Sequence, residues 1–226
     1  MADDYFIDLK TITLAAYAKE LEQTELLPSR RILQEDISSR FECLSQQGIH
    51  TLDDLLVATK TPEKVKALAK KTGLSEEYLT IFKREVGSNL PQPVKLEDFP
   101  GIEKEAVQKL AALGIRNTRL LFDFVKTGAD RQALSARAGI PAAAILELTK
   151  LADVSRIRWV GANFARLLVD SGCDTVEKVS QADYAAVYAE LMRINEEKKY
   201  FRGKFGLNDM KLCVQAARVV PLAIRY

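Results

Sequence analysis

The residues best suited to chemistry lie in the last third of the chain. Arg156 and Arg158 precede Gly161, Asn163 stands just after it, and Arg166 follows in the same apolar helical pattern. A glycine at a helix start leaves backbone N–H groups unshielded, and these, with the positive end of the helix dipole, favour an anion. Asn163 adds a side-chain donor in the first helical turn. Further on, Lys198-Lys199-Tyr200-Phe201-Arg202-Gly203-Lys204-Phe205 interleaves four cations with three aromatics. That composition suits a surface that follows a phosphate backbone and stacks bases. The competing reading makes the three rings core and the cations a solvated face beside Glu196 and Glu197.

Other chemistry finds little support. His50 is the single histidine and falls just before a helix-capping threonine, so a loop position explains it. There is no phosphate-binding GxxxxGK[ST] loop, no HExxH and no GxSxG elbow. Cys43, Cys173 and Cys213 are odd in number and widely spaced, with no CxxC pair. They read as reduced, mostly buried thiols in a cytoplasmic protein without a zinc or redox centre. No cofactor is expected. The N-terminal MADDYFIDLK is not a secretory signal. The longest nearly uninterrupted apolar run, Ala138 to Leu146, is far shorter than a membrane span of ~20 residues.

The elements that must position these residues are marked by glycine. An apolar helical stretch ends at Gly48, Gly114 and Gly172, each followed by a capped second helix. A further glycine, at Gly73, Gly139 and Gly206, precedes another helix in each segment. The paired glycines stand 25, 25 and 34 residues apart, and the longer gap coincides with the charged stretch Asn195 to Lys204. This is an internal repeat of roughly 60 residues. Thr51 with Asp54, Asp174 with Glu177, and Ser75 are placed to cap the helices that follow. Pro62 and Pro141 sit where a first turn tolerates proline. Apolar residues between these marks keep a helical period, and no stretch alternates as a strand. The expected class is all-α. Boundaries follow: 1–90 with an extra N-terminal helix near 11–23, a linker at Asn89-Leu90-Pro91-Gln92-Pro93, then 94–152 and 153–226.

Upstream of Gly114 the chain reads LxxFPGIxxxxVxxL, and upstream of Gly172 it reads RIRWVGxxFARLL. Counting back 11 residues from each glycine aligns Glu103 with Gly161, Ile102 with Val160, and Gly101 with Trp159. Here the sequence resembles the helix-hairpin-helix superfamily, whose hairpin is an apolar residue between two glycines followed by a helix. The aligned Glu35 to Ile37 in the first segment lack the hairpin glycines. The whole chain, above all INEEKKYFRGKFGLNDMK, looks like an uncharacterised bacterial family of tandem helix-hairpin-helix proteins, a domain of unknown function. The resemblance implies tandem helix-hairpin-helix (SAM-like) units packed in series. In DNA-binding members of the superfamily, the hairpin amides and the following helix grip a phosphate, a contact independent of base sequence.

The two hairpins differ in their fitness for that contact. Glu97, Asp98, Glu103 and Glu105 surround the one at Gly101 against a single Lys104, and would repel a phosphate. That hairpin reads as structural. The one at Gly161 is the candidate, with Trp159 taken as a packing anchor. Superfamily glycosylases place an aspartate after the hairpin, where Asp123 stands here. The bifunctional ones also carry a lysine at the hairpin exit, and Glu105 at that position cannot form an imine. The expectation is therefore a non-enzymatic protein that binds nucleic-acid backbone, DNA foremost. Its contacts would be Arg156, Arg158, Gly161, Asn163, Arg166, Lys198, Lys199, Arg202 and Lys204. The alternative is a protein-interaction scaffold with purely structural hairpins, and no membrane partner is expected. The formal charge of +2 on 226 residues conceals a gradient. Residues 1–95 carry 13 basic and 15 acidic side chains, 96–150 carry 8 and 7, and 151–226 carry 12 and 9.

Overall fold

A computed structural model describes residues 4–26 and 28–226. The fold is all-α. Among the described residues the only extended pairings are two isolated bridges, Thr13 with Thr51 and Lys95 with Asn117. Thirteen α-helices follow one another there: α1 (Leu14–Gln23), α2 (Ile37–Ser45), α3 (Leu52–Ala58), α4 (Pro62–Thr72), α5 (Glu76–Gly87), α6 (Lys104–Ala112), α7 (Thr118–Phe122), α8 (Gly128–Ala138), α9 (Ala142–Val154), α10 (Ala162–Asp170), α11 (Val176–Gln181), α12 (Tyr184–Lys198) and α13 (Leu207–Ala217). After α1 the order repeats in fours, each set beginning with a nine-residue helix that ends before a glycine. Gly48, Gly114 and Gly172 all adopt the left-handed conformation, which stops a helix without a Cβ clash.

Several caps fall where the sequence places them. Thr51 and Asp54 form a reciprocal capping box at α3, and Ser75 accepts from the Tyr78 N–H at α5. Two expectations are corrected. Thr175, not Asp174, caps α11, accepting from the Lys178 N–H, because Asp174 is drawn off by the ammonium groups of Lys150 (2.6 Å) and Lys178 (2.7 Å). Gly206 is not the third counterpart of Gly73 and Gly139. Those two are left-handed helix stops, whereas Gly206 is extended at the start of α13. The left-handed stop in the third set is Lys199, at φ 54° after α12. There the helix before the stop has grown to 15 residues from the 11 of α4 and α8.

The chain divides into two compact units. One is Asp8–Asn89, and the other joins residues 4–7 to Leu90–Tyr226. In the first, α1 packs on α2 and α5 on α3 and α4 around Tyr17, Phe41 and Phe82. In the second, one continuous core runs from Leu96 to Val220. Its centre is α9, which packs on α7, α8, α10 and α11. Tyr5 belongs to this unit, with its hydroxyl 2.6 Å from the Thr118 hydroxyl and its ring edge-on to Phe122.

Cys43, Cys173 and Cys213 are all unbridged. Burial pushes the Cys213 thiol up to about 12. A raised thiol pKa means that its stabilising contribution is present below the ordinary thiol range and is lost as pH rises from 9.0 towards about 12. At mildly alkaline pH, iodoacetamide followed by mass spectrometry should label Cys213 only after denaturant is added. Labelling in native buffer at the rate of the denatured chain would contradict the packing of α13.

Candidate nucleic-acid interface

The hairpin between α9 and α10 is built by local hydrogen bonds. After α9 stops, the Arg156 and Ile157 N–H groups donate to the Asp153 and Val154 carbonyls, and the Val160 N–H donates to the Ile157 carbonyl at 3.1 Å. Ile157 and Val160 are buried, which fixes the turn on the core. Gly161 then starts α10 in an extended conformation with no side chain capping the first turn. The hairpin before α6 has the same plan. Its Ile102 N–H reaches the Phe99 carbonyl at 3.5 Å, and Gly101 is left-handed at φ 73°. Glu103 begins α6, also without a side-chain cap.

The aligned position in the α9–α10 hairpin is Trp159, left-handed at φ 69°. Glycine adopts that conformation freely, whereas an L-residue pays about 1–2 kcal/mol for it. The first-segment counterpart differs, since there Asp36 takes the left-handed position directly before α2. Trp159 is not the packing anchor expected of it, for 51% of its surface is exposed. The Arg158 guanidinium lies 4.0 Å from its ring centroid. The alignment with Gly101 puts Trp159 at a left-handed hairpin apex, where a side chain points away from the buried Ile157 and Val160.

Apart from Arg158, which is half-buried and lies over the Trp159 ring, the expected contact residues separate into three groups. Arg156 is withdrawn from solvent altogether, its side chain 0% exposed. Its guanidinium donates to Asp153 Oδ1 at 2.6 Å, to the Pro221 carbonyl at 3.0 Å and to the Asp4 carbonyl at 3.1 Å, and lies over the Phe122 ring. A phosphate cannot reach it, so it leaves the candidate surface. Arg166 is also committed, bonded to Glu147 on α9 and Asp170 on α10. Burial opposes its charge, but the two carboxylates outweigh that and raise its pKa. Lys198 pairs with Glu197 at 2.9 Å. Gly161, Asn163, Lys199, Arg202 and Lys204 are exposed.

The basic stretch is held by its aromatics. Phe201 and Phe205 meet each other at 5.7 Å between ring centroids, and both meet Phe164 on α10, at 5.7 and 5.3 Å. Tyr188 on α12 closes the cluster edge-on to Phe205. Phe201 and Phe205 are spent on packing and Tyr200 is partly buried against the core, which agrees with the reading of these rings as core rather than base-stacking groups. The Asn195 amide clamps the loop, donating to the Phe201 carbonyl and accepting from the Phe201 N–H, both at 2.8 Å. A Cβ on Gly203 would stand 2.7 Å from the Phe201 ring, so only glycine lets the ring lie there. Because Phe164 is in the first turn of α10, the cluster ties the segment bearing Lys199, Arg202 and Lys204 to the helix that begins at Gly161.

Charge distinguishes the two hairpin helices. The first turn of α6 carries Glu105, whereas that of α10 carries no acid. A carboxylate in the first turn answers the helix dipole, and its absence leaves the α10 N–H groups to an external anion. Asp123, the position matching a glycosylase aspartate, is exposed and paired with Arg119 at 2.7 Å. His50 is exposed in its loop, and its carbonyl accepts from the Leu14 N–H. Among the described residues, no three His, Cys, Asp or Glu side chains gather to hold a metal ion, and no helix is long and apolar enough to cross a membrane.

These placements make unequal forecasts for neighbouring arginines. Arg156→Ala leaves Asp153 buried without its charge partner and should lower unfolding free energy by about 3–5 kcal/mol in a urea titration. Arg158→Ala removes a half-buried side chain that lies over the exposed Trp159 ring and should cost far less, about 1 kcal/mol. Gly203→Ala should displace Phe201 and cost about 1–3 kcal/mol, as overpacking does.

No curated protein and no solved structure matches the chain. A family model matches residues 100–219, from the Gly101 hairpin through the basic segment to the end of α13. That stretch is just over half of the sequence, and the chain belongs to the family described as Domain of unknown function (DUF4332).

Proposed function

We propose that this chain is a tandem helix-hairpin-helix protein of bacterial type, working in the cytoplasm as a non-enzymatic binder of nucleic-acid backbone, DNA foremost. The α9–α10 hairpin and the segment after α12 form the contact surface. One observation carries the reading: an acid-free, uncapped helix start at Gly161 is tied by the Phe164–Phe201–Phe205 cluster to a segment exposing Lys199, Arg202 and Lys204. A phosphate held by the α10 N–H groups and Asn163 would have these cations to accompany its neighbours along the strand. The contact set is thus Gly161, Asn163, Lys199, Arg202 and Lys204, with Arg158 at the hairpin, and carries no base-sequence preference. Glu103 and Glu105 keep the equivalent hairpin before α6 out of this role. A scaffold function is favoured by one separate feature, the exposed Leu207, Val219 and Leu222, which suit an apolar partner.

Fluorescence anisotropy with labelled single-stranded, duplex and branched DNA across a salt series tests the reading. Affinity should fall steeply as salt rises. Combining Lys199→Gly, Arg202→Ala and Lys204→Ala should weaken binding and flatten the logarithmic salt slope by about 2, since each lost single-strand phosphate contact removes about 0.7. Absence of binding at low salt, or an unchanged slope in the triple variant, would refute it.

A further inference from the structure

Trp159 is the one tryptophan of the chain and stands where the matching hairpin has glycine. It keeps a conformation that L-residues avoid, yet its ring contributes little to the core, being 51% exposed. Strain held at an exposed aromatic is a mark of function, since packing does not explain why the residue is not glycine. Its surroundings specify the chemistry of what it meets. The Arg158 guanidinium stacks over the ring, the uncapped turn of α10 begins two residues later, and the three exposed cations sit on the segment tied to that turn. A planar aromatic beside a phosphate-binding helix start fits a ligand that is itself an aromatic ring joined to a phosphate.

We infer that Trp159 stacks on an unpaired nucleobase, which makes single-stranded nucleic acid the preferred ligand of this surface. The inference rests on the backbone-binding reading and deepens it. The α10 N–H groups hold the phosphate, and the indole receives the adjoining base. Within a duplex both faces of each base are covered by its neighbours, so the ring finds a partner only at an unstacked position. Stacking on an indole is tolerant of base identity, because every base has a π-face. The aromatics of the basic segment are turned to other use, since Phe201 and Phe205 are engaged with Phe164 and Tyr200 is partly buried against the core. One exposed ring then implies one stacked base per site.

The single tryptophan makes the test direct. Full-length protein is titrated with a short oligothymidylate, with the same length of strand made abasic, and with a duplex of that length. Oligothymidylate should quench Trp159 emission and bind more tightly than the other two, which should bind by backbone contacts without quenching. Trp159→Gly, whose backbone suits glycine, should fold at least as stably by thermal denaturation. It should bind oligothymidylate about tenfold more weakly, bringing it to the level of the abasic strand. Trp159→Phe should restore most of the difference. Binding of oligothymidylate with unchanged emission, or an unaltered affinity in Trp159→Gly, would overturn the stacking role while leaving the backbone reading intact. No binding of any probe at low salt would overturn both.

Discussion

The second unit is organised around one buried ion pair. Asp153 stands in the last turn of α9, and Arg156 turns back onto it from the hairpin, so the pair closes the helix that the other helices pack against. Both carboxylate oxygens and both terminal guanidinium nitrogens are engaged, while the buried Arg156 Nε has no hydrogen-bond partner. The second Asp153 oxygen accepts from the Val176 N–H at the start of α11 and from the Tyr226 hydroxyl. Arg156 donates to carbonyls at Asp4 and Pro221. The Tyr226 ring is half exposed, but desolvation of its hydroxyl against Asp153 raises the phenol above its ordinary pKa, which keeps it a donor. A desolvated pair is seldom a net source of stability, but removing half of one is costly, so its value is in enforcing a single arrangement. Here that arrangement sets the angle at which the hairpin leaves α9.

From that fixed base the hairpin can present residues outward. Ile157 and Val160 face the core, and Trp159 between them therefore faces water. The basic segment is built on the same division, with aromatics inward on Phe164 and cations outward. A loop that would otherwise be ordered only by its own backbone is closed by the two Asn195 bonds and given a small core of its own. The modest charge excess of residues 151–226 is thus sharpened locally. Arg156 and Arg166 are neutralised by buried or half-buried carboxylates, while Lys199, Arg202 and Lys204 keep their charges at the surface.

The fold class and the repeat could be read directly, because glycine is the residue that ends a helix in the left-handed conformation at little cost. Gly48, Gly114 and Gly172 announce themselves that way. Lys199 does the same work without a signal, which is why Gly206 was the natural but incorrect counterpart. The caps were legible where the threonine and its N3 partner are close in sequence. Asp174 was misread because one of its two lysines, Lys150, lies 24 positions upstream on α9. Arg156 shows the same limit more strongly. Its partners at Asp4 and Pro221 are 152 and 65 residues away, so an arginine next to a hairpin glycine could not be told from one facing solvent. Trp159 was misread for the converse reason: its size argues for burial, while its place at the apex argues against it.

Tyr5 has a consequence for modularity. Since residues 4–7 complete the second unit, the first unit is, among the described residues, a contiguous cassette, 8–89, inserted in the sequence between two pieces of the second. Such a cassette can be lengthened, shortened or exchanged as a single insertion. The second unit cannot be released by a single cut at its apparent boundary. A chain starting at Leu90 would lack the ring on Phe122, the hydroxyl at Thr118 and one carbonyl that receives Arg156. The repeat is linear along the sequence, but the heritable unit of exchange is nested.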